Sequence, residues 1–257
     1  MIQKIPTLCS KPETDAVINQ HKDWFYSFTF TNGASTVVND NQVDQIHTSR
    51  AAMIFPYLDD VYNGKWNSLT CCDLACHQGW FATQIALRGA QHVVGIDARH
   101  HHIQMAEEIK SLSNLSNLSF SKQDLFSITM GKFGLFDLTL FLGILYHLDN
   151  PMDALRIVRS ITKSLCIIET QVARCSTKLE CTWGTGSEHR SGAGIAVIPS
   201  DKIHVHSGHT ITFVPTVEAL YTMLFAAGFS RIYQCIPSTT MNEQYLSNDR
   251  IILFAHV

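Results

Sequence analysis

From residue 69 onward the chain alternates short apolar runs with amphipathic stretches, and this rhythm limits its fold more than any other feature. LTCCDLA (69–75) reads as a buried strand, and WFATQIALRGA (80–90) as a helix closed at Gly89. HVVGIDA (92–98) is a second strand and HHIQMAEEIKSLS (101–113) a second helix. NLSFSKQD (117–124) and FDLTLFLGILYHL (136–148) are two more strands, followed by a helix at MDALRIVRSITK (152–163) and a strand at SLCIIETQV (164–172). After a long interruption come the helix VEALYTMLFAAGF (217–229) and the strands SRIYQCI (230–236) and RIILFAHV (250–257). Strands alternating with helices predict a doubly wound α/β fold, with a mostly parallel seven-stranded sheet and helices on both faces. The last two strands are joined by a polar loop alone, so they pair antiparallel and supply an antiparallel edge strand.

The flanking segments read differently. Residues 1 to about 20 look like a poorly patterned lead-in broken by Pro6 and Pro12, and 24-WFYSFTFTNGAST-36 carries a hairpin-turn signal at Asn32-Gly33. Helical spacing in 44–62 is expected to stop near Pro56. Residues 173–210, rich in Gly, Ser, Thr and His, lose all periodicity and read as an irregular lid. The expected organisation is therefore one domain over 1–257: an N-terminal cap (1–68), a ligand-binding core (69–172), a lid (173–210) and a C-terminal helix with edge strands (211–257). With 46% hydrophobic and 16% charged residues the chain can bury a large core, which argues against a disordered chain. A net charge of −3 without a basic run disfavours a nucleic-acid partner. Cys71, Cys72 and Cys166 lie within apolar runs and read as buried thiols of a reducing compartment. No apolar run has signal-peptide or membrane-spanning character, so the expected location is cytoplasmic and away from membranes, where the sequons in 114-NLSNLS-119 stay idle.

The stretch 71–98 joins a strand carrying Asp73, a tight turn, a helix and a second strand ending at Asp97: Rossmann-like nucleotide-binding architecture, with the ligand at the carboxyl ends of the strands. A dinucleotide fingerprint needs G-x-G-x-x-G so that backbone can touch a pyrophosphate, and here Gly79 alone remains. A nucleoside ligand without phosphates, such as S-adenosylmethionine (SAM), relaxes that demand. On these residues the chain resembles the class I SAM-dependent methyltransferases, with Asp73, Ala75, His77 and Gly79 standing at the positions of their D/E-x-G-x-G-x-G motif. The resemblance implies that Asp97, with neighbouring Ala98, takes the ribose hydroxyls, and that Asp124, with Leu125, takes the adenine amino group. It also implies that Leu142 and Gly143 lie against the cofactor. The segment 137-DLTLFLGILYHLDNP-151 resembles methyltransferases related to the tRNA wobble-uridine carboxymethyltransferases and their small-molecule relatives, and IIETQV, ITFVPTVEAL and AAGFSRIYQC continue the likeness.

That group's tRNA members use carboxy-SAM and carry a long basic N-terminal region, whereas residues 1–68 here are not basic. Ordinary SAM and a small-molecule acceptor are the expected ligands, with methyl transfer to O or N by in-line displacement. The alternatives are a tRNA-modifying methyl- or carboxymethyltransferase and a SAM-binding protein without catalysis. His147 is the expected general base, Tyr146 orients the acceptor or the sulfonium, and Glu169 is a second base or an anchor for an amine. Trp24 and Tyr26 of the aromatic cap, with Trp183, His189 and Arg190 of the lid, are expected to line the acceptor pocket, hinged at Gly184, Gly186, Gly192 and Gly194. No metal is expected: His204, His206 and His209 share a strand-like spacing, yet no cysteine pair accompanies them, and His100, His101 and His102 are consecutive.

Overall fold

The computed structural model describes residues 2–174, 180–183, 186–189, 193–199 and 211–257, with backbone alone described at 180–183, 186–189 and Pro199. Its strands are β1 (Thr70–Leu74), β2 (His92–Asp97), β3 (Leu118–Lys122), β4 (Phe136–Leu142), β5 (Thr162–Gln171), β6 (Glu180–Trp183), β7 (Gly186–His189), β8 (Ile195–Pro199), β9 (Ile211–Pro215), β10 (Arg231–Gln234) and β11 (Arg250–His256). Its helices are α1 (Lys11–Ile18), α2 (Asn41–Val61), α3 (Trp80–Leu87), α4 (His100–Ser111), α5 (Met130–Phe133), α6 (Pro151–Ile161), α7 (Val217–Ala227) and α8 (Glu243–Leu246).

Seven strands form one sheet in the order β10-β11-β5-β4-β1-β2-β3. The strands β1 to β5 pair in parallel, while β11 runs antiparallel to both β5 and β10, so the expected antiparallel pair sits at the sheet edge. Alternation divides the core. Cys71, Val93, Leu138, Leu140, Leu165 and Ile167 face one layer with Phe81 and Ile85 of α3 and Met105 of α4. Cys72, Val94, Phe141, Cys166 and Ile168 face the other, against Leu155 and Val158 of α6 and Leu220 and Leu224 of α7. Adjacent Cys71 and Cys72 therefore point to opposite faces. Burial raises both thiols, which stay protonated and inert.

Several expectations need correcting. Helix α2 runs straight through Pro56 for 21 residues. Pro56 lies on the exposed face, where water can satisfy the carbonyl its missing N–H leaves open, while buried Ile54, Phe55 and Leu58 hold the helix down. The N-terminal lead-in is also ordered. Glu13 accepts the Ser10 N–H at 2.7 Å, a capping box starting α1, and Ile5 bridges to Phe30. The turn at Asn32-Gly33 forms as expected, with Gly33 at φ 87° and Thr29 bridged to Ser35. Within 173–210 the described residues form strands where irregular chain was expected: β6 pairs with β7, and β8 pairs with β9.

Candidate functional site

The parallel strands carry Leu74, Asp97, Leu142 and Glu169 to one end of the sheet, where β1 passes into the turn Ala75–Gly79 and then α3. The turn keeps a glycine-like path without the glycines: Ala75 and His77 sit in the left-handed region at φ 55° and 53°. That conformation costs an L-residue about 1–2 kcal/mol. Gly79, at φ 77°, is required for a different reason. A Cβ there would stand 2.4 Å from the Phe120 ring.

The turn spends its N–H groups on protein acceptors. Cys76 N–H donates to Ile96 O at 2.9 Å, Gly79 N–H to Cys76 O at 2.8 Å, and His77 N–H to Asp97 Oδ2 at 3.0 Å. Asp73 Oδ2 takes the Ala82 N–H at 3.1 Å inside the first turn of α3. A pyrophosphate would meet two buried carboxylates here instead of a nest of donors; a cation with a vicinal diol meets the right charges.

The two carboxylates differ. Burial, strengthened by nearby Asp97, pushes Asp73 up to about 7. Asp97 is also desolvated, but His102 Nδ1 at 3.2 Å and the Arg99 N–H at 2.9 Å on Oδ1, with the His77 N–H on Oδ2, hold it below its ordinary value. A carboxylate has about four lone-pair positions, and these three contacts leave about one open. His102 also stacks on His77, ring centroids 3.6 Å apart, and Phe25 stacks on His77 at 4.5 Å.

Gly143 follows β4 at φ 72°, donating its N–H to Glu169 O at 2.9 Å. A Cβ there would lie 3.3 Å from an Arg50 nitrogen and 3.4 Å from Glu169 Oε2. Glu169, expected as a second base or an amine anchor, is instead committed to buried partners within the protein. It is fully buried, 2.9 Å from Arg50 Nη2 on one oxygen, and accepts from Arg250 Nη1 at 2.8 Å and Tyr245 OH at 3.0 Å on the other. Burial would raise its carboxyl, but Arg250 and Arg50 hold it below the usual carboxylate range. Two guanidiniums against one carboxylate leave this floor positive, and Arg50 Nε–H is buried without an acceptor among the described residues. Arg250 also donates to Tyr146 OH at 3.3 Å.

Tyr146 and His147 do not end β4; they sit in a 3-10 turn at Leu145–His147, with Tyr146 buried, His147 half-buried and their rings 4.2 Å apart. Trp24 is in the core, its indole N–H donating to Ile18 O at 2.8 Å. Tyr26 is likewise buried, stacked on His47 at 4.2 Å; alternation in this aromatic segment turns Trp24, Tyr26, Phe28 and Phe30 inward and leaves Phe25 at the surface. His47 beside them is driven by burial and Arg50 down to about 2, a permanently neutral imidazole. Asp124 is exposed and caps the 3-10 turn Leu125–Ser127 by accepting the Phe126 N–H at 2.8 Å, with Leu125 half-buried behind it. Ala98 is exposed beside Asp97, and Leu142 is buried at the end of β4. The side chains of Trp183 and His189 lie outside the described residues, as do Arg190, Gly184, Gly192, His204, His206 and His209; Gly186 opens β7 and Gly194 precedes β8.

Sequence reasoning missed Arg50 and Arg250. Each had a signal: a charge on the apolar face of α2, four residues before Ile54, and a charge opening the apolar run RIILFA.

Residues 66–192 match the model of a methyltransferase domain. Over that stretch the chain is similar to methyltransferase domains. Its curated relatives include tRNA U34 carboxymethyltransferases of Actinobacillus succinogenes (26% identical over 199 residues, 72% of this chain and 54% of that one) and Haemophilus influenzae (25% over 199 residues, again 72% and 54%). The chain thus spans about half the length of the curated relatives it matches. Among solved structures it is similar to the N-terminal domain of EvdMO1 with S-adenosylhomocysteine (SAH) bound, at TM-score 0.70 and 15% identity over 97% of this chain and 98% of that one. It is also similar to magnesium protoporphyrin IX methyltransferase from Synechocystis with bound SAM, at TM-score 0.54 and 16% identity over 87% and 86%. No described helix is long and apolar enough to cross a membrane.

The elevated Asp73 carboxyl makes the domain pH-sensitive. A folded value above the unfolded one means the folded chain holds a proton that the unfolded chain releases, so this group favours the unliganded fold as pH falls from about 7 toward 4. SAM and SAH share an α-ammonium, and a cofactor that sets it against Asp73 needs the ionised carboxylate. SAH affinity is therefore expected to weaken as pH drops below 7 with proton release on binding, measured by calorimetry in two buffers of different ionisation heat. Asp73→Asn should remove the released proton.

Proposed function

We propose that this domain transfers a methyl group from SAM to an oxygen or nitrogen of a small-molecule acceptor. The observation that carries the reading is the pair Asp73 and Asp97, which accept the Ala82 N–H of α3 and the His77 N–H of the turn and offer negative charge to a phosphate-free cationic cofactor. Asp97 takes the ribose diol, with His102 leaving Oδ1 as a hydroxyl arrives. Asp73 faces the cationic portion, and the buried Arg50 Nε–H is the donor in reserve for the cofactor's carboxylate. Asp124 and Leu125, in the turn after β3, meet the adenine, and Leu142 and Gly143 flank the cofactor.

SAM supplies an already activated methyl on a sulfonium. The chain has to align the acceptor, exclude water and, where needed, remove a proton. His147 is the group for that proton, on a turn fixed by Tyr146 and its Arg250 partner. A groove of about 570 Å³ opens between the end of β5 and the start of α7, lined by Val172, Arg174, Glu218 and Asn248, and its size suits a small, partly polar acceptor.

The likeness to tRNA U34 carboxymethyltransferases favours tRNA as a second reading, and one experiment separates the two. Radiolabelled SAM is incubated with the protein and either a low-molecular-weight metabolite extract or total tRNA. Label is expected in the small-molecule fraction, and His147→Ala should cut its rate by about 10²–10⁴ if the acceptor must lose a proton. Label entering tRNA instead overturns the small-molecule reading.

A further inference from the structure

Three metal-ligating side chains converge away from the cofactor turn, where the chain leaving α1 crosses α4, and a fourth, Glu108, adjoins one of them. His21 Nε2 lies 2.5 Å from Glu108 Oε2, and His101 Nε2 lies 3.1 Å from Asp23 Oδ2. The donor atoms of His21, Asp23 and His101 all fall within 4.8 Å of one another. His101 and Glu108 are seven residues apart, two turns along one face of α4, and Gln104 between them donates to Glu108 Oε1 at 3.1 Å. Trp24 packs edge-on against the His21 ring at 5.6 Å, which fixes the more buried imidazole, while His101 and Asp23 are half exposed and able to swing.

As two separate, partly exposed pairs these groups would contribute little to stability. As one cluster His21, Asp23 and His101 are two imidazoles and a carboxylate, with the Glu108 carboxylate beside His21, a nitrogen and oxygen donor set that suits zinc. Zinc bonds of about 2.0–2.1 Å bring tetrahedral ligand atoms to roughly 3.4 Å from one another. The widest separation must therefore close by up to about 1.4 Å, which rotations of the exposed Asp23 and His101 can supply.

We propose that His21, Asp23 and His101 form a Zn²⁺ site, with Glu108 as fourth ligand or as the group orienting His21. Its ligands come from two elements, so the metal fastens the segment 21–25 onto α4. That segment touches the cofactor turn: Gln78 donates to Asp23 O at 3.1 Å and accepts the Phe25 N–H at 2.9 Å, and Phe25 stacks on His77. His101 also precedes His102, which holds Asp97. The site is structural, bracing the turn from outside, and takes no part in methyl transfer.

The test titrates chelator-treated protein with ZnCl₂ alone and with CoCl₂ alone. One Zn²⁺ per chain is expected, with intense visible bands from tetrahedral Co²⁺ and a higher Tm with zinc than with chelator. His101→Ala and Asp23→Asn, both at exposed positions and checked for folding by circular dichroism, should each weaken zinc binding at least about tenfold. His100→Ala, next along the helix, should leave it intact. The absence of saturable zinc binding overturns the proposal, and so does wild-type zinc affinity in the combined Asp23→Asn/His101→Ala variant, which would put the metal elsewhere in the chain.

Discussion

Glu169→Gln is expected to lower the stability of the fold by about 3–5 kcal/mol, the range for breaking a buried ion pair from one side. Glu169 has no exposure and faces Arg50, Arg250 and Tyr245 at 2.8–3.0 Å, so the amide would leave two buried guanidiniums without a counter-charge. Reversing the problem is not possible by local rearrangement, because α2, β5 and β11 fix the three side chains from separate elements. For a chain of this size roughly 2–4 °C of Tm accompanies each kcal/mol, so a fall of about 6–20 °C should appear by scanning calorimetry. The pH profile gives a second check. A carboxylate held below its unfolded value contributes stability above the unfolded pKa and loses it as pH falls through the lower folded one. Part of the wild-type acid transition, at pH below about 4, should therefore be missing from the variant. A Tm within 2 °C of wild type, about the effect of 1 kcal/mol or less, would mean that the floor of the cleft does not depend on this charge.

Asp97→Ala is expected to weaken cofactor binding at least a hundredfold. Each charge-assisted hydrogen bond to a ribose hydroxyl is worth about 1.5–3 kcal/mol, and two are lost. The same change deprives the His77 and Arg99 N–H groups of their acceptor, so the turn loses part of its shape as well as its charge. Asp97→Asn separates the two effects, since the amide oxygen can still accept one N–H. His102→Ala is informative in the other direction: it removes a competitor for Oδ1 and should leave affinity unchanged or raise it. Calorimetric titration of SAH into each folded variant reads all three.

The sheet was legible because buried parallel strands and their helices have distinct periods, and the split of Cys71 from Cys72 follows from strand alternation alone. Asp73 and Asp97 could be singled out because the carboxyl ends of adjacent parallel strands beside a tight turn are where nucleoside ligands bind. What escaped depended on contacts distant in sequence. Pro56 continues its helix because its open carbonyl faces water, a matter of which side of α2 meets the core. Glu169 looked like a free acid at a strand end until Arg50, 119 positions earlier, and Arg250, 81 positions later, closed on it. Trp24 and Tyr26 had the composition of a ligand cap; alternation puts them on one face, and the packing of α1, α2 and α3 against that face makes it the inner one. The β6–β7 and β8–β9 pairings lay in a stretch whose glycines and serines mask strand periodicity.

The central claim is that two carboxylates and a glycine-poor turn select a phosphate-free adenosyl cofactor. Equilibrium displacement of labelled SAH tests it most directly. The account predicts one SAH bound per chain, displaced by SAM but by neither ATP nor NAD at the same concentration. Failure of the folded protein to bind SAH, or displacement by ATP or NAD as readily as by SAM, would contradict it.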